Sequence, residues 1–360
     1  MSDTTELSSR RERLIPILKE ARAQAFLITA LPNVRYLSGF TGSNAALLIT
    51  HSRALLFTDP RYATQAPQES DCEVKIAKGP LVKDLSTWTK RLRLTSAAFE
   101  QNRISFEAYS QLQEHAPHLR LRAVAGSVEK LRMTKSPDEI NAIRAAVQLN
   151  STALQQALDR LKSSTREADL AAEIEYRMRR LGAEGTAFDT IVASGRHSAL
   201  PHAHPTDAII GRDQLLLIDM GAKVAGYSSD MTRTYVVGKP ARKARRMYGA
   251  VLESQLAAID TVKPGVTCAA VDKAARDVLR KHGMDKLFVH STGHGLGLEI
   301  HEFPRIGRKD KTKLEVGMTI TIEPGVYDEE FGGVRIEDTV VVTGNGCEIL
   351  TPTDKSFTVL

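Results

Sequence analysis

The sequence predicts a two-domain α/β (α+β) protein whose chemistry lies in the second domain. Three observations support this. At 360 residues the chain is longer than a single hydrophobic core usually serves. Through the first third, short apolar runs alternate with helical patterns, as in an open α/β layer. Farther on, a pair of long helical patterns followed by a β-hairpin pattern occurs twice, as an internal duplication would. The expected domains are therefore 1–128 and 129–360.

Residues 5–24 read as an amphipathic helix with a basic face, and 25–29 as a strand. LPNVRYLSGFTGSNA reads as a loop, and 45–50 and 54–58 as strands around a His-Ser turn. A helix is expected to start after Pro60. Strands at 74–77 and 97–99 then alternate with helices at 81–92 and 105–115. SGFTGSNA has neither the Lys-Ser/Thr nor the third glycine of a phosphate loop, so this third reads as scaffold or gate.

The boundary is marked by Ser136-Pro137-Asp138-Glu139, which combines an N-cap, a first-turn proline and first-turn acids. Helices are expected over 138–161 and 165–181. A strand-rich stretch, FDTIVASG, and the loop RHSALPHAHPTD lead into the first hairpin, 213–237. A second helix pair is expected at 241–262 and 267–282, separated by Lys263-Pro264-Gly265. The final strands are expected at 318–322, 334–342 and 347–350.

Composition narrows the function. The chain is 42% hydrophobic and 26% charged, ordinary values for a globular protein, and no apolar stretch approaches a membrane span. The first twenty residues lack the apolar core of a signal peptide. Cys72, Cys268 and Cys347 are scattered without a C-x-x-C, so a cytoplasmic protein with reduced thiols is expected. The net charge is +6, and basic clusters occur at 10–13, 242–246 and 308–313. None is interleaved with aromatics, and aromatic content is 5%, so solvated helix faces and loops are expected and nucleic-acid binding is not.

The centre of the sequence is DQLLLIDMGAKVAGYSSDMTRTYVV. Leu215 to Ile218 form an unbroken apolar run, as in a strand covered on both faces, and Asp219 ends it. Asp230 starts the returning strand, so the hairpin brings two carboxylates together. Alone, the pair is explained as well by aspartates solvating a turn. The end of the chain repeats the pattern. Glu323 ends the strand MTITIEPG, Glu337 lies on the return in GGVRIEDTVVV, and His294 sits in the glycine-rich HSTGHGLGLEIHE. Four carboxylates cannot be crowded together ionised without cations among them. Two divalent ions would balance the charge, and ligation by oxygens and one nitrogen suits Mn²⁺, Co²⁺, Fe²⁺ or Zn²⁺.

These four segments, IDMGAKVAGYSSDMTRT, HSTGHGLGLEIHE, TIEPGVY and GGVRIEDT, together resemble the proline-specific metallopeptidases of the aminopeptidase P and prolidase group. YLSGFTGSNAALL and LLFTDPRYATQA resemble that group's creatinase-like first domain. The resemblance implies a creatinase-like domain followed by a catalytic domain of the pita-bread fold, two divalent metals (manganese first among them) and a homodimer. It implies that Asp219, Asp230, His294, Glu323 and Glu337 are the metal ligands, with Asp230 and Glu337 bridging. His202 and His301 match the histidines that stabilise the tetrahedral intermediate; His204 in PHAHP is a rival to His202 with the weaker motif position. His290 would line the proline side of the cleft and Arg335 would lie near the C-terminal part of the substrate.

The expected substrates are peptides with proline in second position. Water held between two divalent ions loses a proton near neutral pH and attacks the Xaa-Pro carbonyl, with Glu323 passing a proton to the leaving nitrogen. Proline's nitrogen has no hydrogen to donate, so selectivity requires a pocket shaped for the ring, for which Phe188 and Tyr227 are candidates. Xaa-Pro aminopeptidase is the first expectation. A prolidase restricted to dipeptides is the alternative, because the two share these motifs. More remote is a non-catalytic peptide-binding protein, which would be expected to have lost ligands.

Overall fold

The computed structural model describes residues 4–360 and divides into two compact units, one ending at Arg132 and the other running from Met133 to Leu360. In the first unit, a six-stranded mixed sheet has Ala25–Ile28 and Ala45–Thr50 at its centre. Ala25–Ile28 pairs antiparallel with Ala45–Thr50 and parallel with Ser96–Glu100. Leu27, Leu48, Phe57, Leu85, Phe99 and Leu112 close one core around it.

Two expectations for this unit are corrected. The single helix over 5–24 is two, Thr4–Glu12 and Ile15–Glu20, because Pro16 in the first turn of the second cannot donate a backbone hydrogen bond. Its basic residues are not simply solvated. Arg10 is buried, donating to Tyr36 O at 3.0 Å with its guanidinium 4.2 Å from the Tyr36 ring centroid, and Arg11 pairs with Asp71. LPNVRYLS is a helix, Leu31–Ser38, rather than a loop. Pro32 sits in its first turn, where its missing N–H costs nothing, and Gly39 ends it at φ 77°. Val34, Tyr36 and Leu37 bury its inner side.

The second unit repeats one plan. Helices Pro137–Leu158 and Glu167–Arg180 cover the sheet Met231–Val237/Gln214–Met220/Ile191–Ser194 through Leu154, Ile174, Met178, Leu216 and Ile218. The first helix opens with the expected N-cap, which is completed as a capping box, Ser136 Oγ accepting from Glu139 N and Glu139 Oε2 from Ser136 N. Helices Arg242–Thr261 and Cys268–Lys281 then pack on the five-stranded sheet Glu302–Ile306/Gly293–Gly295/Thr319–Ile322/Asp338–Val342/Cys347–Ile349. This is the doubled helix-pair and hairpin arrangement of the pita-bread fold.

The expected strand at 334–342 is two strands. Gly332–Arg335 pairs with Gly325–Asp328 in a separate two-stranded ribbon, whereas Asp338–Val342 pairs with Thr319–Ile322. Ile336 and Glu337 occupy the seam between them. Among the described residues no helix is long and apolar enough to cross a membrane. The three cysteines are free, Cys72 and Cys268 buried.

Candidate metal centre

Each hairpin delivers its acids where regular pairing stops or is about to. Asp219 lies near the end of Gln214–Met220, opposite Thr232, and Asp230 immediately precedes Met231–Val237. Glu323 follows Thr319–Ile322, and its N–H donates to Thr292 O at 2.7 Å. Glu337, at the seam, donates through its N–H to Thr232 O at 3.1 Å and accepts from Thr232 Oγ at 2.8 Å. Thr232 thereby joins the two hairpins.

His294 reaches the same place because glycines flank it. A Cβ on Gly293 would stand 1.9 Å from Thr321 O, and one on Gly295 would stand 2.1 Å from Phe303 O. His294 Nδ1 donates to Gly295 O at 3.0 Å, and burial holds the ring's pKa below its usual value. The neutral ring therefore turns an unprotonated Nε2 toward Asp230 Oδ2 and Glu323 Oε1, each 3.5 Å away. Ligand atoms of Asp230, His294 and Glu337 all lie within 4.8 Å of one another.

A lone pair facing carboxylate oxygens calls for a cation or a proton between them. The carboxylates give the same indication. Asp219 Oδ1 and Glu337 Oε1 are buried with no hydrogen-bond partner, a costly state for an anion. Without cations the acids must hold protons. Burial first, and then Glu337, Asp219 and Glu323, raise the pKa of Asp230 well above the carboxylate range. Glu337 rises for the same reasons, and burial lifts Glu323 to about 7. The donor set thus fits divalent metal ions, which the orphaned oxygens are free to receive.

Arg335 is buried beside this cluster but turns inward. Nη2 donates to Asp219 Oδ2 at 2.6 Å, Nε to Thr232 Oγ at 3.0 Å, and Nη1 to Tyr327 Oη at 2.7 Å and Pro201 O at 3.2 Å. Tyr327 Oη donates in turn to His290 Nε2 at 2.8 Å, because His290 Nδ1 donates to Ser291 O at 2.8 Å. Burial and the Arg335 charge push the His290 pKa down to about 4, so this ring stays neutral.

The other expected residues divide. His301 stacks edge-on against His294, ring centroids 4.4 Å apart, and His202 is exposed but close enough to shift proton affinity at His290, His301 and Glu323. Phe188 packs over Gly221, two residues beyond Asp219; a Cβ there would stand 2.6 Å from its ring. Tyr227 is not brought to the cluster. Its hydroxyl donates to Glu139 Oε1 at 2.9 Å and its ring packs beside Ile143 and Val147. His204 is exposed on the same segment as His202.

Tyr327 and Arg233 were not singled out in the sequence. Tyr327 sits in EPGVYD, four residues after the acid ligand candidate Glu323, which was the available signal. Arg233, buried beneath the cluster, spends all five N–H groups. Nε donates to Asp354 O, Nη1 to Thr232 O and Glu337 O, and Nη2 to Asp338 Oδ1 and Thr353 O.

Residues 141–344, more than half the chain and enclosing all five candidate ligands, match metallopeptidase family M24, and residues 10–134 match the creatinase/prolidase N-terminal domain. The chain belongs to metallopeptidase family M24. As an M24 enzyme it is a metal-dependent hydrolase. It is similar to the Xaa-Pro dipeptidase of Pyrococcus furiosus, 37% identical over 353 residues that cover 98% of this chain and 100% of the relative. Among solved structures it is similar to an Xaa-Pro dipeptidase from Bacillus anthracis, with a TM-score of 0.96, 37% identity and coverage of 98% and 100%. It is also similar to an X-Pro aminopeptidase from Thermotoga maritima, with a TM-score of 0.91, 38% identity and the same coverage.

Proposed function

We propose that this M24 enzyme is an Xaa-Pro dipeptidase. The supporting observation is that full-length relatives carrying that name match over nearly the whole chain. They favour the dipeptidase alternative over aminopeptidase P, which the motifs alone put first. The Thermotoga aminopeptidase keeps the second reading in play. A length series decides between them: Xaa-Pro against Xaa-Pro-Yaa-Zaa with the same enzyme. The dipeptide alone should turn over, and a comparable kcat/KM on the tetrapeptide would overturn the proposal.

We assign Asp219, Asp230, His294, Glu323 and Glu337 as ligands of two divalent ions, manganese first among them. Their unpartnered buried oxygens and the unprotonated His294 Nε2 support this. When bound, such ions polarise a carbonyl and acidify water. The remaining work falls to the chain. Glu323 passes a proton toward the proline nitrogen as it leaves. His202 and His301 donate N–H groups to the oxygen of the attacked carbonyl. His290, kept neutral, lines the proline side. Arg335 acts through Asp219 rather than by touching substrate, since its guanidinium is engaged by Asp219, Tyr327, Thr232 and Pro201. We place the enzyme in the cytoplasm, in keeping with three free cysteines, and assign it a homodimeric state, which sedimentation would check.

A further inference from the structure

We propose that Glu167 is a positioning residue for the segment that carries His202, an inference that rests on the role given to His202 above. Glu167 is the first residue of the helix Glu167–Arg180 and is buried. Its Oε1 accepts from Ser194 N at 2.7 Å and Ser194 Oγ at 2.9 Å. Its Oε2 accepts from Thr206 N at 3.1 Å, Thr206 Oγ at 2.7 Å and His197 Nδ1 at 2.9 Å. Five donors from three residues converge on one carboxylate. Burial alone would raise its pKa, but these donors outweigh burial and hold it below the usual value, so the clamp stays ionised.

Ser194 and Thr206 are the two feet of residues 195–205, and His202 lies between them. One carboxylate holding both feet fixes their separation and removes much of the freedom of the intervening chain. Within the segment there are three anchors, and Ala203, beside His202, supplies one by packing against Ile191, Ala193 and Leu217. Ser198 Oγ accepts from Gly333 N at 2.9 Å, and Pro201 O accepts from Arg335 Nη1 at 3.2 Å. Leu200, in between, is 54% exposed. His202, itself exposed, therefore takes its place from the feet and from its neighbours Pro201 and Ala203 rather than from packing of its own ring.

The second half of the domain repeats the device. Asp272, buried on the helix Cys268–Lys281, accepts through Oδ1 from Thr292 N at 3.3 Å and Thr292 Oγ at 2.8 Å. Arg276 Nε donates to its Oδ2 at 2.8 Å. Thr292 precedes Gly293 and His294 as Ser194 precedes Gly195. In each half, a buried acid from the second helix of the pair grips the N–H and hydroxyl of the residue that opens a histidine-bearing segment. The two acids stand at different positions along their helices, so the recurrence follows the segment being held rather than the capping of a helix.

A double-mutant cycle tests this. Glu167→Gln and Thr206→Val are each made alone and with His202→Ala, and kcat, KM for an Xaa-Pro dipeptide and bound metal are measured. Glu167→Gln keeps the volume but turns one acceptor into a donor, which releases a foot. Alone it should lower kcat by about tenfold or more, with KM and bound metal within about twofold. With His202→Ala already present it should cost less than about twofold. An equal loss in both backgrounds would overturn the inference, since Glu167 would then act on the fold and not through His202. If His202→Ala itself leaves kcat intact, the role of His202 fails and takes the inference with it. Should Glu167→Gln fail to fold, Thr206→Val removes one donor of five and carries the same test. A loss of about threefold that vanishes beside His202→Ala supports positioning, and one that persists overturns it.

Discussion

Stripping the metal from this enzyme should make its stability fall as pH rises, and Glu337→Gln should relieve the fall. In the metal-free protein the carboxyl of Glu323 titrates near 7 rather than at its ordinary 4.5, chiefly because of burial. Between those values the folded chain holds a proton that the unfolded chain has released. Stability is therefore complete below about pH 4.5 and is lost as pH climbs through about 7. For this one group the interval corresponds to roughly 3 kcal/mol. In a domain of about 150–250 residues that is a melting shift of roughly 6–12 °C. Asp230 and Glu337, whose pKa values are also raised by burial and by their acidic neighbours, add in the same direction. The assay is calorimetry at pH 5 and pH 8 on chelated and manganese-reconstituted protein. The chelated form should melt lower at pH 8 by several degrees, and the reconstituted form should lose far less. Glu337→Gln keeps an acceptor for Thr232 Oγ while removing a charge that faces Asp230. At pH 8 the chelated variant should melt above the chelated wild type. A melting point of the chelated wild type that does not change between the two pH values, or a variant that melts lower, would refute the electrostatic account of the cluster.

Three further outcomes are expected. Asp230→Ala should abolish both bound metal and turnover, whereas His202→Ala should keep the metal and lower kcat on the order of 10²–10³; equal metal loss in both would show the assignments to be wrong. Gly293→Ala places a methyl group 1.9 Å from Thr321 O and must displace His294, so elemental analysis should find most of the metal gone, while Gly344→Ala, with nothing within 4 Å, should keep it. The His290 ring, with a pKa near 4, should show no NMR titration between pH 5 and 8; a midpoint above 6 would mean that the Tyr327 hydrogen bond is read in the wrong direction.

The parts that the sequence made legible are those where residue type and period agree. The run Leu215–Ile218 leaves no alternative to a covered strand, and an acid at its end calls for a partner. Ser136, Pro137 and Glu139 specify a helix start through three independent preferences. Likewise, the glycines around His294 signal a backbone approach that any side chain would block. Where local preference conflicts with tertiary contact, the reading fails. LPNVRYLSGF carries a proline and a glycine that both suggest a loop, yet they mark the two ends of a helix whose buried side supplies the stability. The seam at Glu337 is invisible in an unbroken β-forming run, because it depends on which strand each half finds to pair with. Tyr227 has the right chemistry for a proline pocket and the wrong neighbour, Glu139, 88 residues away along the chain. Arg335 and Arg233 look interchangeable in TRT and VRI, but only the folded protein turns the first toward Asp219 and buries the second beneath Glu337.

Arg233 also constrains how the chain can be built during synthesis. Two of its five acceptors, the carbonyls of Thr353 and Asp354, emerge from the ribosome 120 and 121 residues after it does. Until then the guanidinium would be sealed away with donors unmet, so the nascent chain must leave it hydrated. The floor beneath Glu337 therefore closes only once Thr353 and Asp354 have joined the fold.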